Sequence, residues 1–292
     1  MPQAERLCQG AADGETGQVV IFHAGFHKTG TTSLQAALHL HAPRLAPGFA
    51  VQTRASSPAL RAAADAARDL SAFPSPETTA HLNQSLGHWA ARLPTAQGVL
   101  VSCEDFAGHM PGRPGVTDYR AAVPITAAIR AALRRHRPHH RLTFLFTTRA
   151  AAPWLRALHW QLSKHDDLTL GPNRFARAHA AAADFAALLA ALRKGMPEVA
   201  ILEADLESLA QRRLGPVEAL YDAARLPQSL RDRLPAPPHA NQSPRPDLAR
   251  LFVKLNRSDL PRPEIRRLKR DMLAAEGLLL GRADTPGTPG TS

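Results

Sequence analysis

The sequence predicts an α/β fold of three layers, α/β/α, with a central parallel sheet between helices. Short apolar runs of strand type, at 19–22, 99–101 and 142–148, alternate with segments of helical periodicity. Such continuous apolar runs are typical of parallel strands that are buried on both faces, and the alternation indicates βαβ units with right-handed crossovers. The 292 residues, 44% of them hydrophobic, are enough to form a substantial core.

We expect a single domain over residues 18–282, flanked by disordered tails. Residues 1–17 are polar and aperiodic, and residues 283–292 have the low-complexity sequence ADTPGTPGTS. The two cysteines, Cys8 and Cys103, do not make a disulfide framework or a metal site, and Cys103 is expected to be a small buried hydrophobe. No apolar run reaches the ~18 residues of a membrane span, and no signal peptide is recognisable, so we expect a cytoplasmic, soluble protein.

The first half of the domain is divided by proline and serine. Pro43 breaks the first helix, and residues 49–53 are expected to form a short strand. Helices over 57–70 and 76–93 each open with a serine followed by a proline, because serine caps a helix well and proline suits its first turn. The apolar strand at 99–101 follows.

The second half continues the alternation. A helix over 124–135 ends in the basic run RRHRPHHR at 134–141, which is either a solvated helix end or a patch that binds an acceptor or nucleic acid. The strand at 142–148 comes next. The remaining predicted elements are a helix over 153–165, a long Ala-rich helix over 174–194, a strand over 199–202 and short helices over 206–213 and 216–225.

The chemistry is concentrated in the stretch VVIFHAGFHKTGTTSLQAALHL at 19–40, which is predicted to be strand, tight loop and helix. Gly25 and Gly30 allow a sharp turn and a close approach between the backbone and a ligand. We expect Thr31 or Thr32 to cap the helix, whose first N–H groups point into the loop. Together with nearby hydroxyl groups, these donors make a cradle for a phosphate-like anion.

Lys28 adds a point charge to this loop, but its spacing differs from that of the usual nucleotide-triphosphate loop. There the lysine follows the second glycine, whereas Lys28 precedes Gly30. The plain alternative is a glycine turn with a solvated lysine.

The segment Lys28-Thr29-Gly30-Thr31-Thr32, followed by Ser33-Leu34-Gln35, resembles the 5′-phosphosulfate loop of sulfotransferases, in particular the bacterial members that open with HxGxxKTGTTxLQ. The resemblance implies a P-loop nucleoside triphosphate hydrolase-like fold of the sulfotransferase type. It also implies 3′-phosphoadenosine 5′-phosphosulfate (PAPS) as the donor, with no required metal. Lys28 would stabilise charge on the departing nucleotide. The implied donor-binding residues in the loop are Lys28, Thr29, Gly30, Thr31, Thr32 and Ser33.

Glu104 is the first candidate for a catalytic base. It follows the strand at 99–101, where sulfotransferases place their base, and its surroundings resemble the SSE-F sequence of the bacterial group. A carboxylate suits the removal of a proton from a hydroxyl or amine acceptor. Asp105 is the next candidate, and His27 is a rival because imidazole titrates near neutral pH. The ordinary alternatives are a cap or ion pair for Glu104 and a structural histidine at His27.

Arg149 follows the strand at 142–148, and its guanidinium suits either a phosphate or a carboxylate partner. In sulfotransferases the matching arginine, with a serine eight residues later, binds the nucleotide 3′-phosphate. Here Arg149 and Trp154 fall at the family spacing, but Ala150 replaces a second arginine and Ala157 replaces the serine. Donor binding is therefore weak or altered unless another residue compensates. The candidates for compensation are Arg156, His159 and Ser163.

Ligands of open parallel sheets bind outside the carboxyl ends of the strands, so Lys28, Glu104 and Arg149 are predicted to meet at one sheet edge. Two weaker resemblances to the bacterial family follow, one at Glu203 to Leu206 with Pro216-Val217 and the other at 241–256. In the second, either the loop Asn241 to Arg245 closes over the nucleotide or Ser243 caps the next helix.

These observations predict transfer of a sulfuryl group from PAPS to a hydroxyl or amine of a small molecule or glycan. The alternatives are an ATP-dependent small-molecule kinase, with Glu104 or Asp105 holding the metal, and a catalytically degenerate protein with a basic groove for anionic glycans or nucleic acid. The formal charge of +11 attracts anions in each case. We expect no nucleic-acid partner for the enzyme and leave a homo-oligomer open. The acceptor pocket is expected within 50–95 and 105–120.

Overall fold

The structure is a computed structural model that describes residues 18–46, 48–165, 167–237 and 245–277. Its strands are β1 (Val19–His23), β2 (Phe49–Thr53), β3 (Gly98–Ser102), β4 (Arg141–Thr148) and β5 (Ala200–Asp205). They form one sheet in the order β2-β3-β1-β4-β5, and all neighbouring strands are parallel. This confirms the predicted α/β class with a central parallel sheet.

The helices are close to the predicted ones in the first half of the chain, but the prediction that Pro43 breaks the first helix is wrong. This helix runs through Pro43 to Leu45, because a proline in the last turn removes only one N–H donor from the helix. Ser57 and Ser75 cap the second and third helices, as the serine-proline pattern predicted. A 3₁₀ turn, Glu104–Ala107, follows β3. The helices are α1 (Thr31–Leu45), α2 (Pro58–Ala72), α3 (Pro76–Ala91), α4 (Ala122–His136), α5 (Ala151–His165), α6 (Pro172–Ala178), α7 (Phe185–Gly195), α8 (Leu206–Leu209), α9 (Val217–Ala223), α10 (Gln228–Arg231), α11 (Pro246–Asn256) and α12 (Arg262–Ala275).

Helices cover both faces of the sheet. On one face Ile21 of β1 belongs to a buried cluster with Leu34 of α1 and Leu220 of α9. On the other face Phe22 makes an edge-to-face contact with Trp89 of α3, with ring centroids 5.7 Å apart. Successive residues of a strand point to opposite faces, so β1 contributes to both cores. This arrangement agrees with three layers.

The chain divides into two compact units, each described by itself. The first contains the described residues up to Trp154 and those from His179 to 237, including the whole sheet. The second contains 155–178 and the described residues from 245 onward. In this second unit the Trp160 and Phe252 rings stack with centroids 5.9 Å apart, and Lys164 lies 4.9 Å from the Trp160 ring centre.

The prediction of one long helix over 174–194 is wrong. Helix α6 ends at Ala178, a 3₁₀ turn spans Ala180–Ala183, and α7 begins anew at Phe185. The Asp184 carboxylate accepts a hydrogen bond from the Ala187 N–H at 3.0 Å and so caps α7. The alanine run favoured a continuous helix by propensity, but a capping aspartate in its middle starts a new one.

The predicted tails at 1–17 and 283–292, and the Asn241 to Pro244 part of the family-like loop, lie outside the described residues. Within the described residues, every helix is too short or too polar to cross a membrane.

Candidate anion-binding site

The predicted anion loop lies at the centre of the sheet's carboxyl edge. Strand β1 has β3 on one side and β4 on the other. From β1 the chain continues to β2 at one side of the sheet, whereas from β4 it continues to β5 at the other. Connections that diverge in this way open a crevice at the strand ends, which is where open α/β sheets bind their ligands. The loop between β1 and α1 therefore borders that crevice.

The loop turns through two left-handed residues, Lys28 with φ 67° and Gly30 with φ 90°. Gly30 is the N-cap of α1 without any side-chain cap, and its carbonyl accepts the Leu34 N–H at 3.0 Å. The prediction that Thr31 or Thr32 caps the helix is therefore wrong: a glycine in the left-handed conformation starts the helix one residue earlier. The N–H groups of the first turn have no intrahelical acceptor, and the helix dipole favours an anion there.

A buried polar network supports the loop from below. His23 ends β1, and its Nδ1 lies 2.9 Å from Ser102 Oγ while its Nε2 lies 3.1 Å from Thr147 Oγ1. Thr147 Oγ1 also lies 2.7 Å from the hydroxyl of Thr29, which donates to the Phe26 carbonyl at 2.5 Å. The hydroxyl of Thr29 is thus used within the fold, and Thr29 can serve an anion only through its backbone.

Burial lowers the pKa of His23 to about 3, so the imidazole is neutral and links two hydroxyls. Gly25 packs against this network: a Cβ there would lie 2.4 Å from His23 Nε2 and 2.7 Å from Thr147 Oγ1. Only glycine fits at this position without displacing the network.

Aromatic side chains hold the middle of the loop. The Phe26 ring stacks on Phe185 with centroids 4.5 Å apart. The His27 N–H donates to the Tyr119 hydroxyl at 3.2 Å, and the His27 carbonyl accepts from Trp154 Nε1 at 2.8 Å. Trp154, which falls at the family spacing, therefore holds the loop backbone in position through this hydrogen bond.

Glu104 is hydrogen-bonded to α1, the helix that follows the loop. The Gln35 amide donates to Glu104 Oε2 at 2.7 Å, and Glu104 is only partly buried. Gln35 lies in the second turn of α1, so it fixes the carboxylate beside the mouth of the loop. The structure thus brings Glu104 and the Lys28 loop together, as the sequence predicted.

Asp105 has a different environment from its neighbour. Its carboxylate oxygens lie 3.1 Å from Arg54 Nη1, 3.7 Å from His27 Nε2 and 3.9 Å from Arg68 Nε. Burial alone would raise the pKa of Asp105, but the nearby His27 ring and the charges of Arg54 and Arg68 lower it overall. Asp105 is therefore an ionised partner of basic groups, whereas Glu104 has a neutral amide partner.

Arg149 reaches the loop from the end of β4. Its Nη1 donates to the Lys28 carbonyl at 3.3 Å, and its Nε lies 3.5 Å from the Glu207 carboxylate. Glu207 also accepts the Ala150 N–H at 3.4 Å. The guanidinium thus lies beside the anion loop, as predicted, and is ion-paired with Glu207, which was not predicted from the sequence.

Two of the three candidates for compensation have other partners inside the second unit. His159 Nε2 bonds to the Leu170 carbonyl at 3.0 Å, and Ser163 donates to the Trp160 carbonyl at 2.9 Å. Arg156 is exposed. The supporting roles of His23, Thr147, Tyr119 and Gln35 were not predicted from the sequence, although the histidine of the HxGxxK opening was a usable signal for His23.

No protein-family model matches the chain, and a search of curated protein sequences finds no match either. Among the described residues, no group of three or more His, Cys, Asp or Glu side chains could hold a metal ion. The function is therefore proposed from the residues of the site and their geometry.

Proposed function

We propose that the protein is a sulfotransferase of the bacterial type that moves a sulfuryl group from PAPS to a hydroxyl or amine of a small molecule or glycan. One observation carries the proposal: the Lys28 loop, Glu104 and Arg149 converge at the carboxyl edge of the sheet, joined through Gln35 and the Lys28 carbonyl. An anion cradle, a carboxylate and a guanidinium at one crevice are what transfer from an anionic donor requires.

The loop supplies the donors for a 5′-phosphate. The free N–H groups at the start of α1 point toward the crevice, and Thr32 is exposed while Ser33 is partly exposed. Both hydroxyls are available beside those N–H groups. Lys28 lies on the same left-handed turn, and its ammonium group would stabilise negative charge on the leaving nucleotide.

Glu104 is the base in this proposal. PAPS supplies a sulfuryl group that is already activated by its bond to phosphate. The acceptor oxygen or nitrogen attacks sulfur in line with that bond, which breaks as PAP leaves with the bonding electrons, and the acceptor's proton passes to the Glu104 carboxylate. Gln35 holds the carboxylate by one oxygen. His27 remains the rival base, but its ring lies between Tyr119 and Asp105.

We also infer the P-loop-like type of the fold. It is supported by a central β1 followed by a glycine-containing loop and a helix, with the Arg149 guanidinium reaching that loop from the end of the adjacent strand β4. The kinase and the degenerate binding protein stay as alternatives without an observation that favours either. A kinase would use Glu104 or Asp105 to hold a metal, and of these two Asp105 is paired with Arg54.

The test is thermal stabilisation by 3′-phosphoadenosine 5′-phosphate (PAP), the product nucleotide, which needs no acceptor. At about a hundredfold excess over Kd, binding to the folded state adds about 2.7 kcal/mol, which raises Tm by roughly 5–10 °C. Adenosine 5′-monophosphate is the matched control because it lacks the 3′-phosphate. No shift with millimolar PAP would contradict the proposal, and ATP consumption that depends on Mg²⁺ would revive the kinase. A shift would lead to an acceptor screen with PAPS.

A further inference from the structure

A cluster of exposed basic side chains lies at the amino edge of the sheet, the edge opposite the candidate site. Three come from the end of α4, one follows α3, and two lead into β4. We call this set the basic surface: Arg92, Arg134, Arg135, His136, His139 and Arg141.

Arg137 lies in the sequence between the α4 residues of the basic surface and the residues that lead into β4, and its contacts hold the basic surface together as one site. Arg137 Nη2 donates to the carbonyls of Ala91 at 3.1 Å and Leu93 at 3.0 Å. This contact joins the ends of α3 and α4. The Arg141 N–H donates to the Gln18 carbonyl at 2.9 Å, which fixes the start of β4 beside them.

The positive charge of this surface is not balanced locally. The chain has no Asp or Glu over residues 78–103 or 119–165, the two segments that build it. Glu198, which precedes β5, is ion-paired with Arg130 at 2.5 Å, one turn before the basic surface. Cations at a helix C-terminus are favourable to the helix dipole, but only within the last turn, and repeated like charges repel one another. The fold alone does not account for the set.

We propose that the basic surface binds an anionic polysaccharide, through carboxylate or sulfate groups that its arginines can each grip by two hydrogen bonds. Nucleic acid is less well matched, because the surface offers helix ends and a turn instead of a helix face for a groove, and its six side chains include no Phe, Tyr or Trp for base stacking. None is a large apolar side chain that would enter a membrane. The inference does not depend on the nucleotide site.

The experiment measures binding of a labelled heparin fragment by fluorescence polarisation at several salt concentrations. The variant R134Q/R135Q removes two charges from the basic surface while keeping Arg137. We expect a loss of affinity of at least about fivefold and a shallower salt dependence, since fewer counterions are released. The control R177Q/R233Q removes the same charge from two exposed arginines elsewhere.

An equal loss in both variants would show that net charge alone attracts the polysaccharide, and would overturn the proposal. Tighter binding of duplex or single-stranded DNA of matched charge would overturn it as well. A second variant, R92Q/R141Q, guards against a folding defect and is expected to reproduce the loss. Because the basic surface and the anion loop lie at opposite sheet edges, PAP binding is expected to be unchanged in R134Q/R135Q, so the two proposals can fail separately.

Discussion

Glu207 contacts Arg149, which would bind the nucleotide phosphate in our proposal, and the neighbouring Ala150 N–H. Its carboxylate lies 3.5 Å from Arg149 Nε and accepts the Ala150 N–H at 3.4 Å. Its side chain is 45% exposed, so the ion pair contributes at most about 1 kcal/mol. A bound anion would displace it at a small cost.

We therefore expect Glu207→Gln to bind PAP more tightly, by up to about fivefold, since the competing charge is removed. Calorimetric titration measures the effect. Glu198→Gln is the control, because it breaks an ion pair with Arg130 at the amino edge and changes the net charge equally. Weaker binding by Glu207→Gln would mean that Glu207 helps to hold Arg149 for the nucleotide.

Glu104 and Asp105 are neighbours whose replacement should have different effects. Glu104→Gln keeps a group that can bond Gln35 but removes the base, so we expect PAP binding to persist and acceptor-dependent release of PAP to fall roughly 10²–10⁴-fold. Asp105→Asn instead leaves Arg54 and His27 without their ionised partner, so its main effect should be a lower free energy of unfolding. Unchanged turnover in Glu104→Gln would transfer the role of base to His27.

At the scale of elements, the loop between β1 and α1 depends on the glycine that packs on the buried network. In Gly25→Ala the new Cβ would lie 2.4 Å from His23 Nε2. We expect the free energy of unfolding to fall by roughly 1–3 kcal/mol, because the ring must move and its bond to Thr147 lengthens.

Urea unfolding measures this change, and Gly195→Ala is the matched control. Gly195 is the last residue of α7, and a Cβ there meets no atom within 4 Å. A loss as large in Gly195→Ala as in Gly25→Ala would show that the cost comes from the substitution of glycine in general and not from the network.

The elements that the sequence predicted well are those whose signals are local. Apolar runs located β1, β3 and β4, and serine-proline pairs located α2 and α3. The continuous helix over 174–194 failed because the Asp184 cap, which is also local, was outweighed by alanine propensity. The motif offered a signal for His23 itself, but its partners Ser102 and Thr147 were not predictable, because they lie 79 and 124 residues away in the sequence. Glu207 was missed for the same reason.

At the scale of the whole molecule, His23 links stability to pH. Its pKa is lowered by burial to about 3, whereas an unfolded histidine titrates near about 6.5. Between these values the unfolded state binds a proton that the folded state does not, so stability rises with pH and is lost as pH falls. Relative to its value well above pH 6.5, the free energy of unfolding is lower by roughly 2 kcal/mol at pH 5.

We expect His23→Asn to be less stable than the wild type at pH 7 but to lose less stability between about pH 6.5 and 5. The reason is that the variant takes up close to one proton fewer than the wild type when it unfolds in this range. Urea unfolding at a series of pH values measures both. Burial also lowers the pKa of His41, His159 and His179, and burial with nearby arginines lowers that of His109 to about 4. These histidines remain in both proteins, so the difference isolates His23. An identical pH dependence would mean that His23 does not stay neutral when folded.

The most direct test of the central claim is calorimetric titration of PAP into the wild type and into Lys28→Gln and Arg149→Gln, with Arg177→Gln as a control of equal charge. We predict micromolar binding that is lost or greatly weakened in the first two variants and kept in the third. That result would establish the nucleotide site at the carboxyl edge of the sheet. Absence of binding in the wild type, or binding that survives both substitutions, would contradict the sulfotransferase proposal.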